Sequence, residues 1–109
     1  MTDPKIVIAV KDDFTRDYLP KALGDYEFFR VTGTVEDIKR AIEKEKARGV
    51  ILDADTFAED GLAAYLTGKK IVTVVFGERI VFPRGLEAMF TEANPDFNDI
   101  DEFFSKHIK

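Results

Sequence analysis

Two continuous apolar runs, each closed by aspartate, constrain this chain more than any other feature. Lys5-Ile6-Val7-Ile8-Ala9-Val10 leads into Lys11-Asp12-Asp13, and Gly49-Val50-Ile51-Leu52 leads into Asp53. Short runs without polar alternation read as parallel strands covered on both faces. Open α/β sheets carry ligands and chemistry at the carboxyl ends of their strands, where both acidic clusters fall. Asp60-Gly61-Leu62 follows Asp53 at a fixed distance. The chemistry this arrangement suggests is a divalent-metal and phosphoryl pocket.

The rest of the chain alternates strand-like and helix-like segments. Residues 14–23 read as a first helix, with Phe14, Leu19, Ala22 and Leu23 inward and a kink or late start at Pro20. Glu27 to Thr32 alternates, as a half-buried edge strand does. Thr34 and Asp37 form a capping box for a helix with the stripe Val35, Ile38, Ala41 and Ile42. A Glu36–Arg40 ion pair is expected on its wet face, and Gly49 is expected to stop it. Residues 60–67 read as a short helix ended by Gly68, Ile71 to Phe76 as a fourth strand and Leu86 to Thr91 as a fifth.

Ile100, Phe103, Phe104, His107 and Ile108 recur at helical spacing and mark a terminal helix, with Phe103-Phe104 in the core. Gly77 to Gly85 has no clear period, and Pro83 breaks any helix there. Phe82-Pro83-Arg84 is either a recognition loop or core filling through Phe82. His107 packs at the edge of the last helix or meets its C-terminal dipole. These elements predict one domain over residues 1–109 with a five-stranded parallel sheet ordered 2-1-3-4-5. The fourth helix is shortened or missing. Strands one and three then become neighbours, and Asp12, Asp13 and Asp53 converge.

Composition narrows the function classes. At 109 residues the chain can bury a core without disulfides or a structural metal. A net charge of −5 argues against nucleic acid or an anionic membrane as the main partner. With no cysteine, thiol catalysis and thiolate metal sites are excluded, which fits a reducing cytosol. No basic leader or long apolar span is visible, so a cytoplasmic protein is expected. No glycine-rich phosphate cradle follows any strand, and a single histidine rules out a histidine-rich metal cluster.

Val10-Lys11-Asp12-Asp13, the run Val50-Ile51-Leu52-Asp53 and the Asp60-Gly61-Leu62 spacing together resemble the receiver domains of bacterial response regulators. The resemblance covers residues 5 to 109 and implies a three-layer, flavodoxin-like (CheY-like) fold. It implies Asp53 as the phosphoacceptor. It also implies a magnesium site made from Asp12, Asp53 and the Asp55 backbone carbonyl, with Asp13 serving either that site or a helix cap.

Departures from the family pattern are equally specific. Lys11 stands where the first of two acids is expected, and Phe76 where strand four should end in threonine or serine. Glu92 replaces the lysine after strand five, Ala93 the proline beside it, and Phe57 the proline four residues beyond the acceptor. Lys11 and Glu92 thus look like a charge exchange across the pocket, with Lys11 expected to pair with Asp53 or Glu92 in a metal-independent site. The expected function is a non-enzymatic, receiver-like signalling module of the pseudo-receiver type, with no required cofactor. Its partner would be a histidine kinase or an output protein, docking near strands four and five and the last helix; a homodimer is compatible. The alternatives are a working receiver phosphorylated on Asp53 with magnesium bound, a structural subunit like the small stalk subunit of rotary ATPases, and a small-molecule enzyme on the same fold.

Overall fold

The computed structural model describes residues 4–11, 17–19, 21, 26–31, 34–59, 61–77, 82, 84–91 and 97–108. Five strands form one sheet: β1 Lys5–Ala9, β2 Glu27–Arg30, β3 Gly49–Asp53, β4 Val72–Phe76 and β5 Ala88–Thr91. All neighbours pair in parallel, in the order β2-β1-β3-β4-β5. The expected sheet and strand order are therefore both present. Among the described residues the helices are α1 Val35–Glu45, α2 Ala54–Phe57, α3 Leu62–Lys69 and α4 Phe97–His107, and residues 17–19 and 21 are also helical.

Alternate residues of the central strands enter two separate cores, which is why the runs are continuously apolar. Ile6, Ile8, Val10, Ile51, Val74 and Phe76 pack with Leu19 and with Ile100, Phe104 and Ile108 at the end of the chain. Val7, Ala9, Val50, Leu52 and Val75 pack with Ile38 and Ile42 of α1, Phe57 of α2 and Leu62 and Leu66 of α3. Strand β2 is at the edge, as expected, but its burial does not alternate: its ends are exposed, Phe28 and Phe29 are both half-buried, and it stops at Arg30, with Thr32 outside the described residues. Pro20, Phe14, Ala22 and Leu23 lie outside the described residues.

The helix boundaries differ from the sequence reading for identifiable reasons. The Thr34 capping box is formed, with the Asp37 amide donating to Thr34 Oγ1 at 3.4 Å and the Thr34 amide to Asp37 Oδ2 at 3.1 Å. Arg40 pairs with Asp37 at 3.3 Å, and Lys39 with Glu36 at 3.8 Å, in place of the expected Glu36–Arg40 pair. The capping box already holds Asp37 in place, so it is the better-ordered acceptor for Arg40.

Helix α1 stops at Lys46 rather than Gly49, and α3 runs through Gly68 to stop at Lys70. Both lysines are left-handed, with φ of 56° and 58°. In each case the next amide reaches back to the last turn: Ala47 to the Ile42 carbonyl and Ile71 to the Leu66 carbonyl, both at 3.0 Å. A left-handed lysine costs roughly 1 kcal/mol relative to glycine. This cap also takes Ile71 out of β4, which begins at Val72.

Gly49 serves close packing instead of helix termination. A Cβ there would lie 2.7 Å from Ile6 Cδ1 and 2.9 Å from Phe104 Cε1. Helix α2, four residues long, was not legible in the sequence; it buries Phe57, whose ring meets Phe82 edge-on at 5.6 Å. Phe82 is thus core filling. Among the described residues no helix lies between β4 and β5. His107 packs on Phe103 at 4.7 Å, and its Nδ1 lies 3.3 Å from Glu87 Oε2.

Candidate functional site

β1 and β3 are adjacent, so their carboxyl ends bring Lys11 and Asp53 together at the point where the strand order reverses. The Lys11 amide donates to Asp53 Oδ2 at 2.6 Å. That short, charge-assisted bond fixes the carboxylate of a half-exposed residue at the end of a fully buried strand segment. The bond is made by the Lys11 backbone. Its ammonium extends instead to Asp55 Oδ2, 3.9 Å away, in the first turn of α2. Both side chains of that pair are mostly exposed (71% and 88%), so its contribution to stability is small. The expected Lys11–Asp53 side-chain pair is thereby replaced by a Lys11–Asp55 pair, because α2 turns Asp55 toward the β1 loop.

Phe76 is the register partner of Asp53 on β4. Its ring is buried in the core beneath α4, on the sheet face opposite α1–α3, and presents no hydroxyl to the site. Asp12, Asp13, Asp60 and Glu92 lie outside the described residues, as does any Lys11–Glu92 pairing. Among the described residues no group of three carboxylate, histidine or cysteine side chains could hold a metal ion. Of the residues that the resemblance implies as magnesium ligands, Asp53 has one carboxylate oxygen engaged by the Lys11 amide, and the Asp55 side chain faces the Lys11 ammonium.

A cavity of about 410 Å³ opens beside this pair, lined by Lys11, Thr34, Val35, Glu36, Asp55, Thr56 and Glu59. Of these, Lys11 and Asp55 are recognisable in the sequence as site residues and the other five are not. The capping box of α1 was the available signal, since it places Thr34 at the carboxyl end of β2, the same end of the sheet as Asp53. The lining carries one cationic and three acidic side chains, a balance that disfavours an anionic phosphate. No helix among the described residues is long and apolar enough to cross a membrane.

Neither a scan of protein-family models nor a search of curated proteins found a match. Solved structures do match over nearly the full length. A response regulator receiver modulated diguanylate cyclase from Pelobacter carbinolicus is 23% identical, with a TM-score of 0.72 over 96% of this chain and 92% of that one. The signal receiver domain of an HD domain-containing protein from Pseudomonas fluorescens Pf-5 has a TM-score of 0.78 at 12% identity, covering 99% and 88%. A lysine decarboxylase from Francisella novicida also matches, at 13% identity and a TM-score of 0.69, but only 17% of that chain is covered. With five parallel strands in the order 2-1-3-4-5 and helices on both faces, this chain has the CheY-like receiver fold.

Proposed function

We propose that this chain is a receiver-like signalling or regulatory module that acts through protein contacts, has no catalytic activity of its own and does not use magnesium-dependent aspartyl phosphorylation. The observation that carries the reading is the engagement of Asp53 by the Lys11 amide, with the Lys11 ammonium standing beside Asp55. Phosphoryl transfer to an aspartate needs a divalent cation bridging carboxylate and phosphoryl oxygens, and donors for the charge that develops. Lys11 brings a positive charge where the resemblance puts a metal-binding acid. Phe76 brings a buried ring where it puts a hydroxyl.

The fold supports a signalling role through its receiver neighbours, although a site, not a fold, decides function. A histidine kinase or an output protein is the partner class this reading implies. A second reading, with Asp53 as a phosphoacceptor, draws support from its half-exposed position at the end of β3. Magnesium titration of the parent protein and Lys11→Asp separates the two. The proposal expects the parent's thermal midpoint to ignore magnesium and the variant to gain a magnesium-dependent rise. Equal stabilisation of both by magnesium would overturn it.

A further inference from the structure

We infer that the groove between the C-terminal ends of α1 and α3 is a docking site for an acidic, amphipathic peptide segment of a partner protein. It lies at the amino end of the sheet, away from Asp53, and stands independently of the reading above. The groove, about 460 Å³, has Ile42, Ala47 and Ile71 as its floor and Tyr65, Glu43, Lys46 and Lys69 as its walls. The floor residues are each no more than 5% exposed. The Tyr65 wall is fixed from α1: its hydroxyl donates to the Lys39 carbonyl at 3.4 Å, and the Lys39 ammonium lies 5.3 Å from the ring centre.

The charge around this groove opposes that of the chain. The protein as a whole is at −5, yet the groove lining holds Lys46 and Lys69 against one acid, Glu43, and Arg48 and Lys70 lie one or two residues beyond these lysines in the chain, all exposed. Lys69 is paired with Glu43 at 3.6 Å, whereas Lys46, Arg48 and Lys70 enter no ion pair among the described residues. Lys46 and Lys70 are also the left-handed C-caps of α1 and α3, positions where glycine would be the less strained residue. Lysine at each cap meets a helix C-terminus favourably and keeps a positive charge in the groove wall, at Lys46, or beside it, at Lys70.

Complementarity therefore names the occupant. An apolar side chain suits the Ile42–Ala47–Ile71 floor, and carboxylates suit the exposed cations around it. Nucleic acid is disfavoured by the overall negative charge.

The test uses fluorescence anisotropy with a labelled peptide of alternating leucine and glutamate, a leucine–lysine counterpart and polyglutamate, against the full chain. The leucine–glutamate peptide is expected to bind, and the other two to bind far more weakly. The double variant Lys46→Gly/Lys70→Gly is expected to keep or raise the thermal midpoint while binding about tenfold more weakly, as the loss of two exposed charge contacts predicts. Amide shifts on binding are expected over Ile42–Ala47 and Tyr65–Ile71. Absence of binding, equal binding of polyglutamate, unchanged affinity in the double variant, or shifts centred on Lys11 and Asp53 would each overturn the proposal.

Discussion

The Lys11 amide and the Asp53 carboxylate meet at 2.6 Å across the ends of two adjacent parallel strands. This bond turns the residue that resembles a phosphoacceptor into a tie between β1 and β3. Removing the acceptor should therefore reduce stability as well as alter the site. Asp53→Ala is expected to cost about 1–2 kcal/mol, the usual range for a hydrogen bond to a charged group at a half-exposed position. Asp53→Asn retains an acceptor oxygen and should cost less. Urea unfolding of both variants checks the order; equal stability of Asp53→Ala and parent would remove the tie from the account.

Phe76 tests the other side of the same strand pair. Phe76→Thr restores the hydroxyl that the receiver resemblance implies, but it removes a buried ring from the core between the sheet and α4 and leaves a void there. A loss of about 3 kcal/mol is expected, without any gain of phosphorylation. Thermal unfolding and mass spectrometry read the two outcomes separately.

Gly49→Ala should destabilise the protein by about 2 kcal/mol, because an added methyl meets Ile6, Phe104 and Ile108 at once. These are side chains of a close-packed core from β1 and the end of α4, so relief at one contact tightens another. A neutral result in chemical denaturation would show that the β3–α4 approach is looser than described.

Tyr65 supplies a pH-dependent prediction. Burial first, and then the neighbouring Glu43 carboxylate, raise its phenol above the ordinary tyrosine value. The fold thus favours the protonated phenol. The stability this contributes is fully present below the unfolded-state pKa and is lost as pH rises through the folded one. Ultraviolet titration should find Tyr65 ionising at higher pH than free tyrosine. Glu43→Gln should bring it only part of the way back, since burial remains.

These relationships differ in how far the sequence exposes them. The apolar runs 6–10 and 50–52 mark the central strands, because residues buried on both faces leave an unmistakable pattern, and the mixed polarity of 27–32 sets the second strand at the edge. The Thr34–Asp37 capping box is equally local and equally legible. Helix ends at Lys46 and Lys70 are not, since left-handed lysine is an exception to the glycine rule that made Gly49 and Gly68 look like stops. Helix α2 is too short to show a period, and only its position after Asp53 brings Asp55 to Lys11. The candidate site is thus half legible: Lys11, Asp53 and Phe76 are readable from the chain. The cavity lining from Thr34, Glu36 and Glu59 depends on how the start of α1 meets the segment after α2.

The central claim is that Asp53 is held as a structural carboxylate and does not accept a phosphoryl group. Intact-mass measurement after incubation with magnesium and acetyl phosphate tests it most directly, with Asp53→Asn as the control. The account predicts the same mass before and after incubation. A phosphoryl adduct that forms on the parent and disappears in Asp53→Asn would contradict it.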